Sequence, residues 1–264
     1  MSQTRPFLTA QWRELLLLNF EVPPAVVERY VPTGTELDLY EGQAWLSIVA
    51  FMFSDTRLMG IPIPGHRTFE EVNLRLYVRR IVDGAVRRGV VFVREIVGRP
   101  AVTAVARWVY GENYITMRMQ HTNRLSGAKL SAGDRLAYAW QTARAQAPRW
   151  NLAAGRVAAR PCRPADGSLA EFIIDRQLGY VASRGRSTSE YRVDHRPWLV
   201  AAADQVVWDC DLAAVYPAPL VKYLDTEPAS TFVADGSEVA VYPKTVLECD
   251  SMVAKASSPQ AVGQ

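Results

Sequence analysis

The stretch FEEVNLRLYVR, Phe69 to Arg79, alternates without a break. Val72, Leu74, Leu76 and Val78 fall on one side, and Glu71, Asn73, Arg75, Tyr77 and Arg79 on the other. A period of two over this length predicts a β-strand. Its polar side gathers a carboxyl, an amide, a guanidinium and a phenol. Neighbours two apart on one face lie ~7 Å apart, so Glu71 with Asn73, or Asn73 with Arg75, can touch one small ligand. Glu71 and Arg75, ~13 Å apart, cannot pair along the strand. If this face meets water, the strand is an ordinary half-buried one. If it meets a cavity, it is one wall of a small-molecule site.

Other chemistries find little footing. The histidines His66, His121 and His195 never fall at i,i+4 and no HExxH occurs, so no helix-borne metal site is expected. His195, between Asp194 and Arg196-Pro197-Trp198, is a candidate ligand or acid/base group near neutral pH. There is no GxSxG elbow, no GxGxxG and no phosphate-cradling GxxxxGK[ST], so no cofactor is predicted. The three cysteines, Cys162, Cys210 and Cys249, form no CxxC and suit a reducing compartment. Lysine occurs only at positions 129, 222, 244 and 255, which limits amine chemistry to four candidates.

The elements that would hold the site are strands. Trp12–Phe20 is an apolar run expected to be extended, and Pro24–Tyr30 one or two helical turns entered through proline. Ala44–Phe53 is apolar on both faces, the mark of a strand covered on both sides. Ser54–Arg67, with two glycines and two prolines, reads as an irregular loop, exposed or rimming a cavity. Asp83-Gly84 turns the opening strand into Gly89–Val97, its expected hairpin partner. Pro100–Trp108 has helical spacing and stops at Gly111. Tyr114–Gln120 alternates again. Further strands are expected near Lys129-Leu130, 135–142, 157–159, 179–183, 187–193, 205–210 and 238–242, with a corner at Arg184-Gly185-Arg186. Leu169–Ile174 reads as a short helix or turn, and 215–220 as irregular. The tryptophans, Trp108 among them, are expected in the core.

At 264 residues, 49% hydrophobic and 22% charged, the chain can bury a full core in one domain. We expect a loose arm over 1–10, one domain over 11–253 and a disordered tail over 254–264. A net charge of +3, spread along the chain, gives no case for nucleic acid. No leader and no membrane span is visible, so a cytoplasmic protein is expected.

Six segments carry a resemblance: WRELLLLNFEVP, VPTGTELDLYEGQAWLSIVAFMF, FEEVNLRLYV, GVVFVREI, ARWVYGENYITMRM and YRVDHRPW. Together they resemble the bacterial DUF2071, or YqjF-like, family over roughly residues 10 to 225. That family is similar in fold to acetoacetate decarboxylase. The resemblance implies a mainly β (α+β) architecture: an antiparallel, closed or cone-like β-barrel around a cavity, with a few short helices outside. It turns the polar face of 69–79 towards the cavity and matches Glu71 to a decarboxylase glutamate. It allows Tyr114, Thr116 and Arg118 to face the same space, with Arg107 near its mouth, and admits a homo-oligomer.

The decarboxylase's Schiff-base lysine lies in a Gly-Phe-Pro-Lys-Lys run, which here reads Gly111-Glu112-Asn113-Tyr114-Ile115. An imine needs an amine, and the nearest lysine in sequence is Lys129, so the imine route is excluded. What remains is a polar-lined pocket for a small oxygenated or anionic metabolite. Glu71 would act as acid/base, Arg75 would hold an oxyanion, and Asn73 and Tyr114 would orient the ligand. The same pocket would serve a binding protein without turnover. In a third reading Arg75 and Glu71 form a buried network that only fixes the fold.

Overall fold

The computed structural model describes residues 5–143, 147–182 and 187–247. The expected tail, the first four residues of the arm, the 184–186 corner, Cys249 and Lys255 lie outside the described residues.

The first strand, β1 (Leu8–Val22), starts inside the stretch expected to be a loose arm, because Leu8–Ala10 pair with both neighbouring strands or with one of them. Helix α1 (Pro24–Val27) and a 3₁₀ turn at Glu28–Tyr30 follow. Next come β2 (Glu36–Leu37), β3 (Ala44–Leu58) and β4 (Ile61–Pro62). The loop expected over 54–67 is therefore shorter. Strand β3 continues through Asp55, whose φ of 49° marks an extra residue against β1, and then turns back into β4. Strands β5 (Phe69–Val82) and β6 (Ala85–Val97) form the expected hairpin around Asp83-Gly84, both at positive φ.

Helix α2 (Pro100–Val109) begins with proline and ends before Gly111 at φ 77°. The alternating segment 114–120 is two strands, not one. Strand β7 (Tyr114–Thr116) runs parallel to β6, and β8 (Met119–His121) pairs with β9 (Arg135–Thr142). Alternation survives a change of partner, so it concealed the break. Lys129-Leu130 lie in the loop between β8 and β9.

The remaining elements are β10 (Arg149–Val157), α3 (Leu169–Ile174), β11 (Leu178–Ala182), β12 (Thr188–His195), β13 (Val200–Asp209), α4 (Leu212–Val215), α5 (Ala218–Leu224), β14 (Ser230–Val241) and β15 (Thr245–Leu247). The region 215–220, expected to be irregular, belongs to α4 and α5. Pro217 caps α5 and Pro219 sits in its first turn, where no amide hydrogen is needed.

Strand pairing runs β12–β11–β6–β5–β3–β1–β14 and returns to β12, which pairs with β14 over Val193–His195. Contacts are antiparallel except β11 with β6 and β6 with β7. From β14 the sheet continues through β13, β10, β9 and β8. This extension, with α5, covers a core of Leu16, Leu18, Ile48, Val72, Leu74 and Trp140. The opposite side of β1, β3 and β5 buries Leu15, Leu17, Phe51, Phe69, Tyr77 and Trp198. Leu15 to Leu18 are thus buried alternately on two faces, at about 1.5–3 kcal/mol for each side chain. Strand β5 is also covered on both sides from Glu71 to Val78, so its polar row meets water only at Arg79, which pairs with Glu36. Trp108 departs from expectation: it stands 87% exposed on the outer side of α2.

One glycine is dictated by a close approach. Gly236, at φ 77°, pairs with Arg13 of β1, next to Glu14, the positive-φ residue at which β1 slips register against β3, and a Cβ there would stand 2.0 Å from the Trp12 carbonyl oxygen. No helix among the described residues is long and apolar enough to cross a membrane.

Candidate functional site

Between β5, β6, β12 and α2 lies a cavity of about 190 Å³. Its walls are largely aromatic, with Trp12, Phe51, Phe53, Phe69, Phe92 and Trp198. Helix α2 adds Ala101, Val102, Val105 and Ala106, and the shortened 63–68 loop supplies Ile63 and His66 at the rim. Glu71, Asn73 and Arg75 enter from β5, Glu95 from β6 and Tyr114 from β7. Tyr110 and Glu112 enter from the end of α2, and Tyr191 from β12.

Glu71 Oε1 accepts from Asn73 Nδ2 at 3.1 Å, and Oε2 accepts from the Tyr114 hydroxyl at 2.9 Å. Glu112 Oε1 accepts from the Tyr191 hydroxyl at 2.7 Å. Two acceptors, Asn73 Oδ1 and Glu95 Oε2, are buried without a hydrogen-bond partner. Burial raises Glu71 to about 7 against the two hydrogen bonds. Burial, aided by the Glu71 charge, raises Glu112 to about 8. Glu95 rises well above the usual carboxylate range through burial and the neighbouring Glu112 and Glu71 charges. Burial and the adjacent carboxylates likewise hold Tyr114 and Tyr191 in the phenol form.

The polar row of β5 divides at Arg75. This guanidinium lines the cavity but donates from Nε to the Tyr77 hydroxyl at 3.0 Å and from Nη2 to the Ile173 carbonyl at 2.8 Å. The Tyr77 hydroxyl lies 2.6 Å from Ser47 Oγ, deep in the core and away from the cavity. Behind it, Arg176 stacks on the Phe172 and Tyr77 rings and pairs with buried Asp38.

Glu71, Asn73, Arg75 and Tyr114 therefore stand at one cavity, and Tyr77 supports Arg75 from outside it. Three other candidates stand apart. Arg107 is exposed, since at 3.6 residues per turn it leaves the face of α2 that carries Val102 and Ala106. Arg118 follows the break after β7 and lies over the ring of half-buried Trp150, which is not part of the cavity lining. His195 stacks on Trp198 at 4.6 Å, with its ring nitrogens on the Arg176 and Arg196 carbonyls. It borders a separate polar depression with Asp55, Asp194 and Glu238.

Three site residues escaped the sequence reading: Glu95, Glu112 and Tyr191. An unbroken ladder from the Asp83-Gly84 turn would set Arg94 opposite Asn73. A one-residue bulge between Leu74 and Arg75 sets Glu95 there instead, because a one-residue slip exchanges the faces of a strand. The spatially relevant lysine is Lys244, whose Nζ donates to the Tyr110 carbonyl at 3.1 Å near Glu112, outside the cavity lining. No cluster of three or more His, Cys, Asp or Glu side chains among the described residues is placed to hold a metal ion.

Tyr191 depends on a glycine. Gly179 pairs with it across β11 and β12, and a Cβ there would lie 2.1 Å from the ring. Gly179→Ala should displace the ring from Glu112 and lower the unfolding free energy by about 1–3 kcal/mol. A double-mutant cycle in denaturant with Tyr191→Ala should show most of that penalty gone; a full penalty in both backgrounds would refute the link.

The sequence profile of DUF2071, described as uncharacterized conserved proteins, matches residues 9–238. YqjF of Bacillus subtilis (strain 168), itself described as uncharacterized, is 43% identical over 68 residues, which span 25% of this chain and 28% of that relative. An acetoacetate decarboxylase-like enzyme from Sphingomonas wittichii RW1 superposes with a TM-score of 0.61 at 13% identity, covering 91% of this chain and 93% of its own. The acetoacetate decarboxylase of Legionella pneumophila gives 0.62 at 11% identity, over 93% and 88%. The enduracididine biosynthesis enzyme MppR, solved with pyruvate, gives 0.59 at 16% identity, over 94% and 92%. At these identities the likeness establishes the fold.

Proposed function

The chain belongs to the DUF2071 family, and we propose that it binds a small organic molecule in the cavity beside β5. The ring of strands is a cone-like closed barrel in this reading. The ligand's apolar body lies on the aromatic wall and its polar head meets Glu71, Asn73 and Glu95. The observation that carries this is a set of buried polar atoms without partners in the cavity lining: Asn73 Oδ1 and Glu95 Oε2 beside Glu71, with Trp12 Nε1 and Thr56 Oγ1. Leaving a buried polar group unpaired costs about 1–3 kcal/mol, which a ligand supplying donors would recover. An apolar cavity of roughly 150 Å³ can hold benzene, so about 190 Å³ accommodates a ring with a short substituent. MppR, which shares the fold, is solved with pyruvate, a small oxygenated molecule, and that supports a similar use here.

An anionic head is poorly served, because Arg75 already commits Nε and Nη2 to protein oxygens. An imine route is closed in this reading: the run that resembles the decarboxylase's lysine segment, Gly111-Glu112-Asn113-Tyr114-Ile115, holds no lysine, and Lys244 lies outside the lining. One observation favours turnover over binding alone. Glu71 at about 7 can accept or return a proton near neutral pH, where general acid–base catalysis is most effective.

A thermal-shift panel of small keto, hydroxy and amino compounds tests the reading. At least one should stabilise the parent protein, and Ala106→Trp, which fills the cavity from α2, should abolish that shift while circular dichroism stays native. A shift that survives Ala106→Trp would place the ligand elsewhere. Turnover of a stabilising compound that disappears in Glu71→Gln, with binding kept, selects the catalytic form.

A further inference from the structure

We infer that the head group this cavity accepts is an organic ammonium, a protonated amine carried on a small apolar body. The inference rests on the reading that the cavity is a ligand site and names the class of ligand.

The first observation is the charge inventory. Three carboxyl groups face the cavity: Glu71 from β5, Glu95 from β6 and Glu112 beyond α2. Among the described residues, neither Glu71 nor Glu95 is bonded to a cationic side chain. Arg75 on β5 directs its bonds to Tyr77 and Ile173, while Lys244, following β14, stands behind Tyr110 and reaches only the field of Glu112. The other polar groups at this end are the phenols of Tyr110, Tyr114 and Tyr191 and the amide of Asn73, with His66 at the rim. A buried carboxylate without a cation is costly, and a cationic ligand would complete the set.

The second observation is the β6 bulge. It turns Arg94 away, to donate to Asn113 Oδ1 at 3.0 Å, and turns Glu95 inward. That one extra residue adds the third carboxyl to the cavity, at the place where an unbroken ladder would set Arg94.

The third is the sense of the vacant hydrogen bonds. Asn73 Oδ1 is an unpartnered acceptor and Glu95 Oε2 becomes one once its carboxyl loses the proton; of the other lining residues, Trp12 leaves Nε1 and Thr56 leaves Oγ1 without a partner. The Asn73 amide is oriented by its donation to Glu71, which leaves its oxygen free. An ammonium brings up to three N–H donors, whereas a ketone or a carboxylate brings none. The fourth is the wall: aromatic faces attract cations through their quadrupoles, by about 0.5–2 kcal/mol. No metal-ligating cluster is present among the described residues, so the cation that fits is organic.

Matched probes decide the matter. We would titrate 2-phenylethylamine, 2-phenylethanol and phenylacetate into the full chain by calorimetry at about pH 6 and about pH 8.5, on either side of Glu71. The amine should bind at least about tenfold tighter than the alcohol at the higher pH, with phenylacetate weakest. Its advantage should shrink at the lower pH, where the carboxyls hold their protons. Glu95→Gln should weaken the amine about tenfold, and exposed Arg107→Ala should change nothing. If Glu95→Gln does not fold, the three probes and two pH values on the parent still decide. The alcohol or the acid binding as tightly as the amine would overturn the inference and leave the ligand site standing. Binding by no probe, with no stabilising compound in the wider panel, would remove both.

Discussion

Asp38→Ala should lower the unfolding free energy by about 3–5 kcal/mol, read as a fall in the urea midpoint with the slope unchanged. Asp38 and Arg176 are each only 2% exposed, and Arg176 Nη1 donates to Asp38 Oδ2. Arg176 Nε also donates to the Phe172 carbonyl at 2.8 Å, so the guanidinium cannot swing out once its partner is gone. The penalty is that of an uncompensated buried cation rather than the worth of the pair. Replacing both, as Asp38→Leu with Arg176→Met, should therefore recover most of the loss. The damage should reach the cavity, because Arg176 stacks on Tyr77 and Tyr77 receives Arg75. A change below about 1 kcal/mol would show that Arg176 is not left uncompensated when Asp38, which also lies 3.5 Å from half-exposed Arg88, is removed.

Raising the pH from about 5 to about 8.5 should lower the melting temperature by several degrees, at about 2–4 °C for each kcal/mol in a chain of this size. The sign follows from Glu71, at about 7, and Glu112, at about 8, both above an ordinary glutamate near 4.5. Between those values the unfolded chain has lost protons that the folded chain keeps, so stability falls as the pH climbs. The loss begins near the unfolded value and is complete once the pH passes the folded values. Glu71→Gln combined with Glu112→Gln should flatten the curve. A melting temperature that is level or rising across this window would refute the protonated cluster. An amine probe should restore stability most at the alkaline end.

How much of this was legible in the sequence differs by element. The run Ala44–Phe53 announced a strand covered on both sides, since only such strands need apolar side chains at every position, and the apolar run around Leu15–Leu18 announced a strand without showing that both its faces are buried. The alternation of 69–79 fixed its faces correctly, and the DUF2071 segments carried the family. Glu95 was hidden because its direction depends on one bulged residue in its own strand, visible only against the partner β5, a feature of pairing rather than of pattern. Arg118 misled for a related reason: alternation runs on from β7 to β8 although the ladder does not. Lys244 and the Asp38–Arg176 pair join residues far apart in the chain, 134 positions for Lys244 with Tyr110 and 138 for the ion pair, and no local period reports such meetings.

The pairing of β1 with β14 has a consequence for how the chain is made. One edge of β1 is closed early by β3, but the other waits for Ser230–Val241, the last long strand. At ~5–20 residues per second of synthesis, Leu15–Leu18 leave the ribosome roughly 10–40 s before their second partner. During that interval the segment is a bare apolar edge, the kind that recruits other chains. Whatever protects a nascent chain from its neighbours is needed here from the first strand almost to the last.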